Sequence, residues 1–149
     1  MNATTTAAST MPASSRAQTK WHRIRRERLM AGLERYATPR DRLLGVFDVL
    51  GELTATPGFR GCAFYNASAE SVARGGAVEQ VSNANRAWTR SLFTELAGDA
   101  GVADPAALAD QFMILYDGAS VGARMDRQPG AAGLARKVAE SLLDAAPVS

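Results

Sequence analysis

The sequence predicts an all-α protein, and three observations carry that reading. Apolar residues recur at helical spacing over most of the chain, no segment alternates with the period of two that a half-buried strand needs, and two helix starts combine a capping residue with proline. Those starts are Thr38-Pro39-Arg40-Asp41 and Asp104-Pro105. The 149 residues suit one domain, and 46% hydrophobic with 21% charged residues is ordinary for a globular chain.

In chain order, residues 1–18 read as a disordered tail and 19–149 as the folded domain. The first twenty residues are rich in Ser, Thr and Ala, with Met1 and Met11 their only large apolar groups. Trp21, Ile24, Leu29, Leu33 and Tyr36 then mark an amphipathic helix over about 19–36, with Arg25, Arg26, Arg28 and Glu34 between them. Thr38-Pro39 opens a second helix to about residue 55, with Leu43, Val46, Phe47, Leu50 and Leu53 on one face. Pro57-Gly58 stops it.

The stretch 57–70 breaks the helical pattern most densely. Phe59, Cys62, Phe64 and Tyr65 make it a connection to be buried, with Arg60, Asn66 and Ser68 available for polar satisfaction. Asn66 is placed to cap a short helix near 66–73, with Glu70 in its first turn. After Gly75-Gly76, the residues Val81, Ala84, Trp88, Leu92 and Leu96 form a narrow stripe on a helix over 77–97, ended by Gly98 and Gly101. The next helix, 105–126, is apolar or small almost all round, which calls for burial on most faces and for a second subunit to supply it. A last, alanine-rich helix follows Pro129 and carries Leu134, Val138, Leu142 and Leu143. Gly118 and Gly122, with Ala119 and Ala123, leave the middle of the 105–126 helix nearly bare, a surface suited to close helix packing within the chain or between chains.

Several function classes lack their signatures. There is no phosphate-binding glycine loop, no nucleophile elbow and no zinc-protease motif, so the chain reads as a non-enzyme without catalytic residues. Cys62 and His22 are its only cysteine and histidine, which gives no metal site and no cofactor, excludes an internal disulfide, and fits a reducing cytoplasm. Asp48 and Asp117, the carboxylates within apolar segments, have a simple role as hydrogen-bond acceptors for nearby cations or backbone. No apolar run approaches membrane-spanning length. The net charge of +2 is unevenly spread: residues 1–26 hold five cations and no acid, leaving twelve basic against fifteen acidic groups, a net of −3. A basic arm on an acidic body suits non-specific polyanion contact or a solvated helix start equally well.

The run Arg42-Leu43-Leu44-Gly45-Val46-Phe47-Asp48-Val49-Leu50, then Pro57-Gly58-Phe59-Arg60-Gly61-Cys62, then Asn66-Ala67 and Ala69-Glu70, resembles the C-terminal half of TetR-type transcriptional regulators. Asp104-Pro105, Leu108-Ala109-Asp110-Gln111-Phe112 and Leu115 with Asp117-Gly118-Ala119 continue the resemblance, which covers residues 21–146. It implies a ligand-binding and dimerisation domain of about five main helices whose last two pair with a second copy in a four-helix bundle. The expected partners are a small, apolar effector and a homodimer mate, with no membrane. The implied pocket would be drawn from Phe47, Phe59, Cys62, Phe64, Tyr65, Asn66, Asn85, Trp88, Phe112 and Tyr116, each of which also reads as ordinary core. Asn85 stands where family members often carry histidine. The implied dimer interface would use Phe112, Leu115, Gly118, Ala119, Gly122, Leu134, Val138 and Leu142. A TetR-type repressor begins with a helix-turn-helix head that residues 1–20 cannot form, so operator binding is expected only if the native product carries that head. The alternative expectation is a partner that pairs with a full-length relative and titrates it from DNA.

Overall fold

The computed structural model describes residues 13–57, 76–127 and 130–149. Within them lie five helices: α1 (Ala13–Leu33), α2 (Pro39–Ala55), α3 (Ala77–Asp99), α4 (Pro105–Met125) and α5 (Ala131–Ala145). Both expected starts are formed. The Thr38 hydroxyl accepts from the Asp41 N–H at 3.0 Å, the Asp104 carboxylate accepts from the Ala107 N–H at 3.1 Å, and a proline takes the first helical position in each case. The expected short helix at 66–73 lies outside the described residues, as does Pro129.

Two boundaries differ from expectation. α1 begins at Ala13, so residues 13–18, read as tail, belong to the helix; their Ala, Ser, Arg and Gln residues include no breaker, and Ser15 is already fully buried. α3 runs through Gly98 to Asp99. The turn that ends it is a Schellman motif: the Val102 N–H donates to the Ala97 carbonyl at 3.1 Å and the Gly101 N–H to that of Gly98 at 3.0 Å. Only Gly101, at φ +84°, needs to be glycine there. The C-terminal residues are tied to this turn, with Ala103 N–H on the Pro147 carbonyl at 2.8 Å and Ser149 N–H on that of Gly101 at 2.9 Å.

α2 is the central helix and touches all four others. Its face of Leu43, Leu44, Val46, Phe47, Val49 and Leu50 is buried throughout. Phe47 meets Phe93 of α3 and Phe112 of α4 at ring-centroid distances of 5.8 and 5.6 Å, and Phe93 meets Phe112 at 5.5 Å. Three fully buried aromatic rings thus lock three helices together, with geometry worth about 0.5–1.5 kcal/mol per pair beyond area burial. Polar clamps fix α5 on the other side of α2. Arg136 reaches Asp48 at 3.1 Å, and Arg40 reaches Asp144 at 2.6 Å. Asp48 also accepts from the Tyr36 hydroxyl at 2.8 Å, so it is a hydrogen-bond acceptor for nearby groups, as its place in an apolar helix suggested.

Within the protomer, α4 is covered on one side. Leu108, Ala109, Phe112, Met113, Tyr116, Ala119 and Ser120 face the core, while Ile114 and Met125 are 74% and 72% exposed. One protomer has enough helices to cover one side of α4.

Gly45 lies directly beneath the Tyr36 ring, so a methyl group there would collide with it. Tyr36 cannot swing away without losing its bond to Asp48. Gly45→Ala should therefore destabilise the fold by about 1–3 kcal/mol through overpacking, outweighing the ~1 kcal/mol that alanine gains in helix propensity. Urea unfolding followed by circular dichroism measures this, and an unchanged or raised midpoint would contradict the close contact.

Candidate functional site

The apolar stripe read along α1 is correct only in its second half. Leu29 and Leu33 are buried, but Trp21 is exposed at 37% and Ile24 is half-buried. The buried face toward the N terminus is polar: Ser15, His22 and Arg25, which continue the spacing of Leu29 and Leu33. Sequence reasoning placed Arg25 and Arg26 on the solvent side and gave His22 no role. The available signal was that 15, 22, 25, 29 and 33 fall on one helical face.

Arg25 turns inward, where its Nη2 donates to the Tyr116 hydroxyl of α4 at 3.1 Å and its guanidinium lies over the Trp21 and Tyr116 rings. Arg26 donates from Nε to the Asn85 side-chain oxygen of α3 at 3.2 Å and stacks over Trp88 at 5.0 Å. With these two turned in, the exposed cations of α1 are Arg16, Lys20, Arg23 and Arg28, and Arg23 has Glu27 at 3.9 Å.

α1 and α3 run in the same direction. α1 and α2 are antiparallel, with Gly32 against Val49, and Phe47 of α2 meets Phe93; farther back along α1, Arg26 meets Asn85 and Trp88. One further turn toward both N termini carries His22 and Ser82. His22 is 2% exposed and neither ring nitrogen has a hydrogen-bond partner; the hydroxyls of Ser15 and Ser82, both fully buried, are also unpartnered. Burial, then the nearby Arg25 and Arg26 charges, lower the His22 pKa from 6.5 to about 4, so the imidazole is neutral at pH 7. A neutral imidazole offers one donor and one acceptor.

The pocket residues expected from sequence divide into three groups. Asn85, Trp88 and Tyr116 border this polar cluster through their contacts with Arg25 and Arg26. Phe47 and Phe112 are fully buried in the aromatic core. Phe59, Cys62, Phe64, Tyr65 and Asn66 lie outside the described residues. Asp117 pairs with Arg86 at 2.5 Å across α3 and α4, a bridging role. Among the described residues there is no group of His, Cys, Asp and Glu arranged to hold a metal, and no helix is long and apolar enough to cross a membrane.

The expected interface residues also divide. Phe112 and Ala119 face the protomer's own core, because helical periodicity puts them on the side of Leu108 and Tyr116. Gly118, Leu134 and Val138 face outward, and Leu115, Gly122 and Leu142 are half-buried. Ile114 and Met125, absent from that expectation, are the most exposed large apolar groups of α4.

Leaving a polar group buried and unpaired costs about 1–3 kcal/mol, so His22→Leu should match or exceed the parent in stability at pH 7. The parent should also lose stability as pH falls from about 6.5 toward 4. There the unfolded chain binds the His22 proton and the folded chain does not, a slope of up to about 1.4 kcal/mol per pH unit. Parallel urea unfolding of both proteins across that range checks this: identical pH dependence would mean that His22 is not held neutral.

No protein-family model matches the sequence, and a comparison with curated proteins gives no match. Solved structures do match. A TetR-family transcriptional regulator from Streptomyces coelicolor superposes with a TM-score of 0.78 at 26% identity, over 85% of this chain and 67% of that one. A TetR-type regulator from Streptomyces avermitilis gives a TM-score of 0.68 at 26% identity, over 89% of this chain and 75% of that one. With five helices in this arrangement and similarity over most of its length, the chain has the fold of the TetR-family transcriptional regulators.

Proposed function

We propose that this chain is the effector-binding and dimerisation half of a TetR-type transcriptional regulator, working in the cytoplasm as a homodimer without enzymatic activity. The observation that carries the proposal is the outer face of the α4–α5 hairpin. Ile114, Gly118 and Met125 follow one another at helical spacing on α4, and Leu134, at 66% exposure, and Val138 do so on α5. Large apolar groups standing outward together on adjacent helices mark an interaction surface. A second copy presenting the same face would cover it isologously. Operator binding requires, in addition, a helix-turn-helix head in the native product. An effector would enter among α1, α3 and α4 at the buried polar cluster, and would act by favouring one spacing of two such heads. The same outer face would serve equally in a partner that captures a full-length relative.

Gly118 gives a specific test. A side chain there meets nothing within the protomer, so Gly118→Leu should leave the protomer fold intact while blocking close approach of a second helix. Ile114→Asp combined with Leu134→Asp should act more strongly. Each change removes roughly 1.5–3 kcal/mol of apolar burial and occurs twice in a two-fold dimer, raising the dimer Kd by about 100-fold or more. Sedimentation velocity at micromolar concentration, with circular dichroism as the folding control, reads both variants. Unaltered dimers would remove this face from the interface.

A further inference from the structure

The buried cluster at the N-terminal ends of α1 and α3 has a definite chemical bias. Arg25 and Arg26 are donors only, neutral His22 has one N–H to give, and the hydroxyls of Ser15 and Ser82 each carry a donor. One acceptor near them, the Asn85 oxygen, is already taken by Arg26. Among the described residues, no carboxylate pairs with Arg26. The complement of a donor-rich, desolvated site beside the Arg26 charge is a group that only accepts and carries negative charge. The surroundings are aromatic, with Trp88 beneath Arg26 and the Tyr116 ring beneath Arg25.

We propose that the effector is a small organic acid, its carboxylate received by His22, Arg25 and the Ser82 hydroxyl at the same level, and its apolar body set against Trp88 and Tyr116. This rests on the effector-binding reading above and names the ligand class at that site. It changes the expected effector from a plain apolar molecule to an amphiphilic one. Burying the carboxylate is tolerated because the guanidinium and the N–H and O–H donors replace its water.

His22 is the sole histidine, so its ring resonances report this site without assignment ambiguity. The experiment titrates the full chain with benzoate, phenylacetate and octanoate, each beside its uncharged primary amide, and follows the His22 ring signals by NMR and binding by calorimetry. Nile red, a neutral apolar dye, is titrated separately. At least one acid should bind saturably, shift the His22 resonances and bind at least 10-fold more tightly than its amide. His22→Leu, which removes an unpaired group and should fold, would lose at least 10-fold of that affinity, and His22→Gln, which keeps a donor, would retain more of it. An amide that binds as well as its acid, or acid binding that leaves the His22 signals unmoved, would overturn the proposal. Saturable Nile red binding without acid selectivity would overturn it too, yet leave the effector-binding reading standing. No saturable binding by any probe would count against both.

Discussion

The contact among Phe47, Phe93 and Phe112 is the constraint on which the rest of the structure depends. One ring comes from each of α2, α3 and α4, all are fully buried, and each touches the other two. Once α4 spends its Phe112 side on this cluster, helical periodicity fixes where its other residues go. Leu108, Met113, Tyr116 and Ala119 follow Phe112 inward; Ile114, Gly118 and Met125 are turned out. The exposed apolar face is thus a consequence of core packing and not a separate feature. α5 cannot cover it, because the Arg136–Asp48 and Arg40–Asp144 pairs hold α5 against α2 and leave Leu134 and Val138 facing the same way as the bare side of α4.

The same cluster sets the polar site. Tyr116 is one turn beyond Phe112 and packs edge-on against Phe93 at 5.9 Å, which aims its hydroxyl past the aromatic core toward α1. Arg25 meets it there. Apolar packing ends at this level, and toward the N termini of α1 and α3 the buried groups become His22, Ser15 and Ser82.

Much of this was legible in the sequence because it is local. Thr38-Pro39 and Asp104-Pro105 announce two helices through capping chemistry confined to four residues, and the face of α2 follows from spacing alone. The face of α1 was misread where long-range contacts decide it. Trp21 looked like the continuation of an apolar stripe, yet the burial goes to His22 and Arg25, because Tyr116, some ninety residues away, supplies the partner that lets a guanidinium turn inward. Gly98 was read as a stop because glycine is permissive, but only Gly101 adopts the positive φ that requires it. For Phe112 and Ala119, composition indicated a helix that needed covering on two sides, while their particular side depends on the long-range contacts with Phe47 and Phe93.

The energetics of the polar cluster give its meaning within the fold. A domain of this type is stable by only about 5–15 kcal/mol, and each buried, unpaired polar group withholds roughly 1–3 kcal/mol. His22, Ser15 and Ser82 together therefore cost an amount comparable with a substantial fraction of the net stability, in a region where leucine or alanine would pack more favourably. Unpaired buried donors of this kind are expected where a second component completes the hydrogen bonding. A ligand that does so regains the withheld energy on binding, and its affinity then couples to the packing of α1 against α3 and α4. Through Tyr116 that packing reaches α4, whose opposite face is the proposed contact with a second copy. The polar site and the outer face are thus two sides of one helix, and a shift of α4 on ligand binding would alter the seat of its partner directly.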